Sequence, residues 1–267
     1  MKSIQEKIAE IKSNGYDLSF GTTFEYALEN YKKIAVYAGL MLFVFLCLFF
    51  GLFSGLVFSF FDFDFIIDNF KHLGDDPKAI STNFFIGYFS ITLLISCLLS
   101  PFQAGFLNMA DRGQKGEEFR VATIFSYYTS PYFGSILVAT VLITLPGMAL
   151  TILLDNTGIK FIGSILSIGI SFLTFLTIPL IVFGKLKAVE SIQSSFIIMS
   201  RNPLVLFGLL VVAGIFSIAG IIGCGIGVFF TIPFMYAMTY AIYASIIGFE
   251  STEDIENTTD SNTNKLP

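Results

Sequence analysis

The sequence has no tryptophan, one histidine and three cysteines, and only 13% of its 267 residues are charged. Each cysteine, Cys47, Cys97 or Cys224, lies in an apolar run without a close partner, which is typical of free thiols that pack as small hydrophobic groups. One histidine and scattered cysteines do not provide the side chains of a typical zinc site. We therefore expect no metal site and no cofactor, and we expect no nucleic acid as a partner.

One segment, residues 61–78, brings the histidine His72 together with carboxylates. Oxygen ligands suit a divalent cation such as Ca²⁺, but the spacing lacks the Asp-x-Asp-x-Asp-Gly order of a calcium loop. We interpret the segment as a solvated loop on the outer side. Its aspartates are Asp62, Asp64, Asp68, Asp75 and Asp76.

Apolar residues dominate the chain: 54% are hydrophobic and the mean hydropathy is +0.77, which is typical of an integral membrane protein. Runs without Asp, Glu, Lys, Arg or His each exceed the roughly 20 residues that cross a ~30 Å hydrocarbon core as a helix. The last run, 202–249, contains the glycine-rich segment 220–227, which predicts a turn inside it. The predicted spans are 35–60, 84–108, 133–154, 161–183, 204–221 and 227–248.

The distribution of Lys and Arg predicts the orientation of these six spans. With both termini in the cytoplasm, the inner segments carry 12 of the 15 basic residues, and the outer loops carry only Lys71, Lys78 and Lys160. The apolar runs contain no ionisable side chain, which argues against a proton relay or a voltage sensor. We therefore expect no catalytic residue, although a pore or a site for apolar molecules stays open.

Amphipathic segments at helical spacing precede the first, third and fifth spans, at residues 19–33, 117–131 and 187–203. The predicted fold is thus an all-α membrane protein with six transmembrane helices, arranged as three degenerate units of an interfacial amphipathic helix plus a transmembrane hairpin. We divide the chain into a cytoplasmic N-terminal segment (1–17), a membrane domain (18–249) and a disordered acidic tail (250–267).

A proline recurs in the second helix of each hairpin, at Pro101, Pro179 and Pro233. Each proline removes one backbone hydrogen bond, and neighbouring helices and the adjacent hydroxyls of Ser100, Thr177 or Thr231 can repair that defect in a membrane. Pro179 and Pro233 do not lie at the same predicted depth, so either the repeat has slipped or the last hairpin is misplaced. Broken helices also shape binding sites in transporters. A cavity would favour transport if it were lined by Ser167, Ser171, Thr174, Thr177, Thr231 and Tyr236.

Polar residues on the third amphipathic segment form a second candidate site. Glu190, Ser191 and Ser195 share its polar side near Arg201, and they either face solvent or contact lipid head groups or a partner. Small residues spaced four apart predict close helix packing, within the chain or in a dimer. These are Gly51 and Gly55, Gly223 and Gly227, and Ala237, Ala241 and Ser245.

The layout resembles a known group of bacterial inner-membrane proteins. The segments "FGTTFEYALENYKK", "KLKAVESIQSSFIIMSRNPLVLFGLL" and "GIIGCGIGVFFTIPFMYAMTYAIY" are similar to YciC-like proteins and to the membrane domain attached to some glycerophosphodiester phosphodiesterases. The resemblance covers residues 18–248 and implies a helical membrane fold in the bacterial cytoplasmic membrane, with no catalytic residues to carry over. The soluble catalytic barrel of the phosphodiesterase is missing, so its activity is not implied.

These observations favour a non-enzymatic, multi-pass protein of the bacterial cell membrane. It would organise or contact lipid, or a protein partner, through its cytoplasmic-side amphipathic helices, with homo-oligomerisation as a further form of contact. The alternative is a transporter or exporter of a small or apolar molecule. A second alternative is a lipid-modifying enzyme that acts at the outer loop of residues 62–76.

Overall fold

The computed structural model describes residues 3–60, 62–68, 82–118, 120–155, 162–222 and 226–248, and within these ranges the chain is helical and contains no strand. Two 3₁₀ turns, Ser126–Tyr128 and Gly220–Ile222, join helices. The helices are α1 (Ile4–Asn14), α2 (Phe20–Phe60), α3 (63–68), α4 (Thr82–Lys115), α5 (Val121–Phe125), α6 (Phe133–Asp155), α7 (Ile162–Leu173), α8 (Thr177–Val182), α9 (Ala188–Arg201), α10 (Pro203–Ala219), α11 (Gly227–Thr231) and α12 (Pro233–Ile246).

Five helical segments are long and apolar enough to cross a membrane: Phe20–Ser59, Ile86–Lys115, Phe133–Thr151, Ile162–Val182 and Gly227–Ile246. The last two each combine two helices, α7 with α8 and α11 with α12. Helices α9 and α10 pass the same test only as a pair, and they are bent by 101° at the residue between them. The all-α membrane fold is confirmed at this level.

The first predicted unit differs from the structure. Helix α2 runs without a break over 41 residues, about 62 Å at 1.5 Å per residue, so the amphipathic segment 19–33 is not a separate interfacial helix. Residues 20–60 contain no proline that would end the helix. One face of the N-terminal half also stays buried over several turns, at Ala27, Ile34 and Ala38, so packing favours continuing the helix.

The other two units contain the break that α2 lacks. In the second unit the helix is only five residues long (α5), and a 3₁₀ turn and Pro131 precede α6. In the third unit α9 has 14 residues, and Pro203 occupies the first position of α10 after the 101° bend. The units are therefore unequal, and only the third contains a long separate amphipathic helix.

Helix α12 lies at the centre of the bundle. Most of its residues are buried, including Phe234, Met238 and Tyr240, and it packs against α2, α4 and α10. A short-range backbone contact between Gly220 and Gly227 closes the last hairpin: a Cβ on Gly220 would lie 2.4 Å from the Gly227 carbonyl oxygen. The predicted small-residue packing is thus observed at Gly227. At Gly51 and Gly55 a Cβ would meet no atom within 4 Å, so these glycines do not pack within the chain.

The N-terminal segment 1–17 is not separate from the bundle in space, because it contains α1. Ser3 caps this helix in a reciprocal capping box with Glu6, and the apolar residues Ile8 and Ile11 are buried. Helix α1 packs on α9, and the Tyr16 hydroxyl just beyond it donates to the carbonyl oxygen of Ile198 at 3.0 Å. The predicted tail, residues 250–267, lies outside the described residues, as do His72, Asp75 and Asp76.

Candidate functional site

A polar cleft with a volume of about 530 Å³ lies between α4, α6, the junction of α7 with α8, and the start of α12. Half of its lining consists of apolar side chains such as Leu99, Ile143 and Phe175. The other half carries hydrogen-bonding groups but no charge. These polar lining residues are Ser96, Ser100, Gln103, Thr140, Thr144, Ser171, Thr174, Thr177, Tyr236 and Thr239.

Most hydroxyl groups in the cleft donate their proton to their own helix. The acceptors lie one turn earlier: Thr140 donates to the Ile136 carbonyl at 2.9 Å, Thr174 to Ile170 at 2.8 Å, and Thr239 to Met235 at 2.7 Å. A hydroxyl that has donated its proton keeps two lone pairs as acceptors. These hydroxyls can accept hydrogen bonds from a ligand, whereas Gln103 and Thr177 also keep donors, so the cleft complements an uncharged ligand with hydrogen-bonding groups.

Thr177 differs from the other threonines of the cleft. Its side chain is only 1% exposed, and its hydroxyl is buried without a hydrogen-bond partner. An unsatisfied buried hydroxyl costs about 1–3 kcal/mol, so such groups are rare unless something outside the chain satisfies them. Thr177 is a lining residue of the cleft, and its hydroxyl would bond a ligand there by turning out of the wall.

The position of Thr177 follows from the break between α7 and α8. Pro179 has no N–H and clashes with the preceding turn, so the helix is interrupted at residues 174–176. Ser195 of α9 repairs the interruption: its hydroxyl donates to the Leu173 carbonyl at 2.9 Å and accepts from the Leu176 N–H at 3.0 Å. The repair comes from another helix rather than from Thr177.

The other two prolines are accommodated differently. In α4, Pro101 leaves the Cys97 carbonyl without its usual donor, and the neighbouring Ser100 hydroxyl donates to that carbonyl at 3.2 Å, as the sequence predicted. Pro233 begins α12, where a missing N–H costs little. Thr231 beside it donates to the Ser217 carbonyl of α10 at 2.6 Å and so joins the two helices of the last hairpin.

Of the six residues whose presence around one cavity would favour transport, four line the cleft: Ser171, Thr174, Thr177 and Tyr236. The remaining two have structural partners. Ser167 donates to the Gly147 carbonyl of α6 at 2.9 Å, and Thr231 contacts α10 as described above. The prediction did not include the contribution of α4 and α6. The contribution of α4 was visible in the sequence, because Ser96, Ser100 and Gln103 are spaced by four and three residues and thus share one helix face.

The second candidate site, on α9, faces the protein. Ser191 and Ser195 are fully buried, and the Ser191 hydroxyl has no hydrogen-bond partner. Glu190 accepts from the Gln5 side-chain amide at 2.8 Å, and the Arg201 guanidinium donates to the Lys12 carbonyl. All but Ser191 thus have hydrogen-bond partners within the chain, and α1 supplies two of these partners.

Apolar side chains instead point outward from α9, where Val189 is 54% exposed and Phe196 is 52% exposed. Among the described residues, no three His, Cys, Asp or Glu side chains are grouped so that they would hold a metal ion. No protein-family model, curated protein or solved structure matches the chain. The polar cleft therefore has to be interpreted from its own chemistry.

Proposed function

We propose that this chain is a six-span transporter or exporter of the bacterial cytoplasmic membrane, and that the polar cleft binds an uncharged small molecule with hydrogen-bonding groups. The observation that carries the proposal is the set of ten uncharged polar side chains that line one cleft, among them Thr177, whose buried hydroxyl has no partner among the described residues. The cleft volume of about 530 Å³ lies within the 300–1,000 Å³ range of small-molecule sites. A charged substrate is disfavoured, because no lining residue carries an opposite charge.

The proposal of six spans is supported by one contact between the two ends of the chain. The Lys7 ammonium group of α1 donates to the Ile247 carbonyl at the end of α12, at 2.7 Å. Since α1 precedes the first span and Ile247 follows the last, an even number of crossings is needed to bring these residues to the same end of the bundle. Helix α10, 17 residues and about 26 Å long, supplies the sixth crossing with a modest mismatch to the bilayer. The charge distribution supports a cytoplasmic position for both termini.

The experiment measures ligand binding by the full chain, purified in a nonionic detergent. Uncharged polyols and acylglycerols are compared with charged analogues of the same size, and binding is detected as an increase in the thermal unfolding midpoint. We expect stabilisation by at least one uncharged compound, and loss of that effect in Thr177→Val. The matched control is Thr92→Val, since Thr92 lies on α4 outside the cleft and its hydroxyl donates to Tyr88 of its own helix. A site at Thr177 would be refuted if uncharged compounds stabilised both variants equally. It would also be refuted if only charged compounds stabilised the protein.

Transport is tested separately by reconstituting the chain in proteoliposomes and measuring uptake of the stabilising compound. We expect uptake above that of empty vesicles, with reduced uptake for Thr177→Val and unchanged uptake for Thr92→Val. Binding without uptake would leave the cleft as a binding site and exclude transport.

A non-enzymatic function in organising lipid or a protein partner is our second proposal, supported by the exposed Val189 and Phe196 on α9. These residues lie on the helix that ends at the 101° bend. In the six-span arrangement this helix is on the side of the membrane that carries most Lys and Arg residues. Crosslinking from position 189 in native membranes tests it: we expect lipid or protein adducts there, and none from the buried position 198. The lipid-modifying alternative has no structural support, since most of the loop 62–76 lies outside the described residues.

A further inference from the structure

Three lysines from three separate parts of the chain line a second cavity of about 370 Å³, which we call the basic pocket. Lys7 comes from α1, Lys115 ends α4, and Lys185 follows α8. Asn108 and Tyr127 add uncharged polar groups to the same lining. This pocket is distinct from the polar cleft, with which it shares no lining residue.

The basic pocket carries an excess of positive charge. Asp111 is the one carboxylate among its lining residues, and it accepts a hydrogen bond from Lys115 at 2.8 Å. Among the described residues, the Lys7 ammonium group donates to the neutral Ile247 carbonyl and forms no ion pair, and the exposed Lys185 has no lining carboxylate of its own. Two of the three ammonium groups are thus uncompensated within the lining, so the pocket complements an anion.

Two neighbouring groups add to this complementarity. Burial raises the pKa of the Tyr127 phenol to about 12, so its hydroxyl stays protonated at neutral pH and is available to donate. Lys185 is the one residue other than glycine that has a positive φ, +54°, in the part of the chain that the structure describes. A side chain in this left-handed region is strained, and glycine would relieve the strain. The sequence nevertheless places a lysine there, with Gly184 directly before it.

The basic pocket and the polar cleft are stacked along the same helices. Leu107 and Asp111 on α4, and Thr239 and Tyr243 on α12, are pairs four residues apart in which the first residue lines the cleft and the second lines the pocket. Residues four apart lie on one helix face, one turn or about 5–6 Å along the axis. The pocket therefore lies about one turn beyond the cleft, at the end of the bundle where α1 contacts the end of α12.

We infer that the basic pocket binds a phosphate group, held by Lys7, Lys115 and Lys185 at the cytoplasmic surface of the bundle. Basic pockets between transmembrane helices on the cytoplasmic side typically receive phosphate-bearing head groups. A phospholipid and a free phosphate compound both carry a phosphate group. Both are available at the membrane surface, where the basic pocket lies in this inference. The inference does not depend on the ligand of the polar cleft.

The test has two arms that separate these sources, both with the full chain. In the first arm, inorganic phosphate is titrated calorimetrically into the protein in a nonionic detergent, with chloride at equal ionic strength as the reference. In the second arm, phosphatidylglycerol retained by the protein is measured by native mass spectrometry. Binding of inorganic phosphate indicates a site for free phosphate compounds, whereas retention of the lipid alone indicates a head-group site; both outcomes support the inference.

The variants assign binding to the pocket. Lys185→Gln is expected to weaken binding about fivefold, since a basic group near a membrane surface contributes an effect of that size. Lys185→Gly removes the same charge and relieves the backbone strain, so it should bind equally weakly while folding at least as stably as the parent. Lys187→Gln is the matched control, because Lys187 is also exposed and lies two residues away, outside the pocket lining.

The inference would be overturned if Lys187→Gln weakened binding as much as Lys185→Gln, or if chloride reproduced the effect of phosphate. It would also be overturned if neither arm detected binding. The thermal response of Thr177→Val to uncharged compounds reports on the polar cleft, whereas the lysine variants report on the basic pocket. Failure of the cleft proposal and failure of the phosphate inference can therefore be distinguished.

Discussion

The hydroxyl of Ser195 donates to the carbonyl oxygen of Leu173 at 2.9 Å, across the junction where α7 ends. The same hydroxyl accepts from the Leu176 N–H, so one side chain of α9 replaces the backbone hydrogen bonding that the proline-broken helix has lost. The cleft residues Thr174 and Thr177 flank this junction. Helix α9 thus fixes the wall of the polar cleft.

We predict that Ser195→Ala destabilises the protein by about 1–3 kcal/mol, because it leaves a buried N–H and a buried carbonyl without their partner. The chain has no tryptophan, so unfolding is followed by far-UV circular dichroism in detergent. Ser200→Ala is the control, since Ser200 is exposed on the same helix and its hydroxyl contacts only the Phe196 carbonyl one turn earlier. Equal unfolding midpoints for the two variants would show that Ser195 does not stabilise the break.

Thr177→Val is predicted to act in the opposite direction on the protein without ligand. Replacing an unsatisfied buried hydroxyl by a methyl group of similar size removes a desolvation cost, so we expect stabilisation of about 1 kcal/mol. The same change at Thr231 is the contrasting variant. Its hydroxyl donates to Ser217 of α10, so Thr231→Val should destabilise. If Thr177→Val also destabilised, the Thr177 hydroxyl would have a partner in the ligand-free protein.

Gly220→Ala is predicted to destabilise the last hairpin by about 1–3 kcal/mol, the usual cost of overpacking. Its new Cβ would lie 2.4 Å from backbone atoms of Gly227, and backbone moves less easily than a side-chain end. Gly214→Ala is the matched change on α10, where no atom lies within 4 Å, and its better helix propensity should give up to about 1 kcal/mol of stabilisation. Thermal unfolding of both variants decides whether the glycine contact or general helix propensity dominates.

Local sequence patterns predicted the parts of this fold that depend on local chemistry. Apolar runs located the five helical segments that are long and apolar enough to cross a membrane, because hydropathy is a property of each run by itself. The Ser100 hydroxyl donates within one turn of its own helix, so its position beside Pro101 is visible in the sequence. The partner of the Pro179 break was not predictable in this way, since Ser195 is 19 residues from Leu176 and reaches it only after α9 folds back. For the same reason Ser195 was interpreted from its own helix as a surface residue.

The continuity of α2 shows a second limit of sequence patterns. Residues 19–33 carry an amphipathic pattern that an interfacial helix and a packed helix would share, and only the contacts with α12 distinguish them. The cleft was partly predictable for a similar reason: Thr177 lies two residues before Pro179, and Thr144 of α6 lies two residues before Pro146 in the same way. The local pattern does not show that these threonines share one cavity. Their role follows from the way the helices converge.

Membrane topology gives the last prediction, and it separates six crossings from five. In a chain whose native cysteines are replaced, Ser13→Cys on α1 and Asp62→Cys after α2 are both exposed positions on opposite sides of the first span. A maleimide that cannot cross the membrane should label Asp62→Cys in intact cells and Ser13→Cys only after lysis. A third cysteine at Lys265, beyond the last span, should behave like Ser13→Cys, because six crossings return the chain to its starting side. If Lys265→Cys were labelled in intact cells while Ser13→Cys was not, the number of crossings would be odd. Helix α10 would then not span the membrane, and the contact between Lys7 and Ile247 would not form.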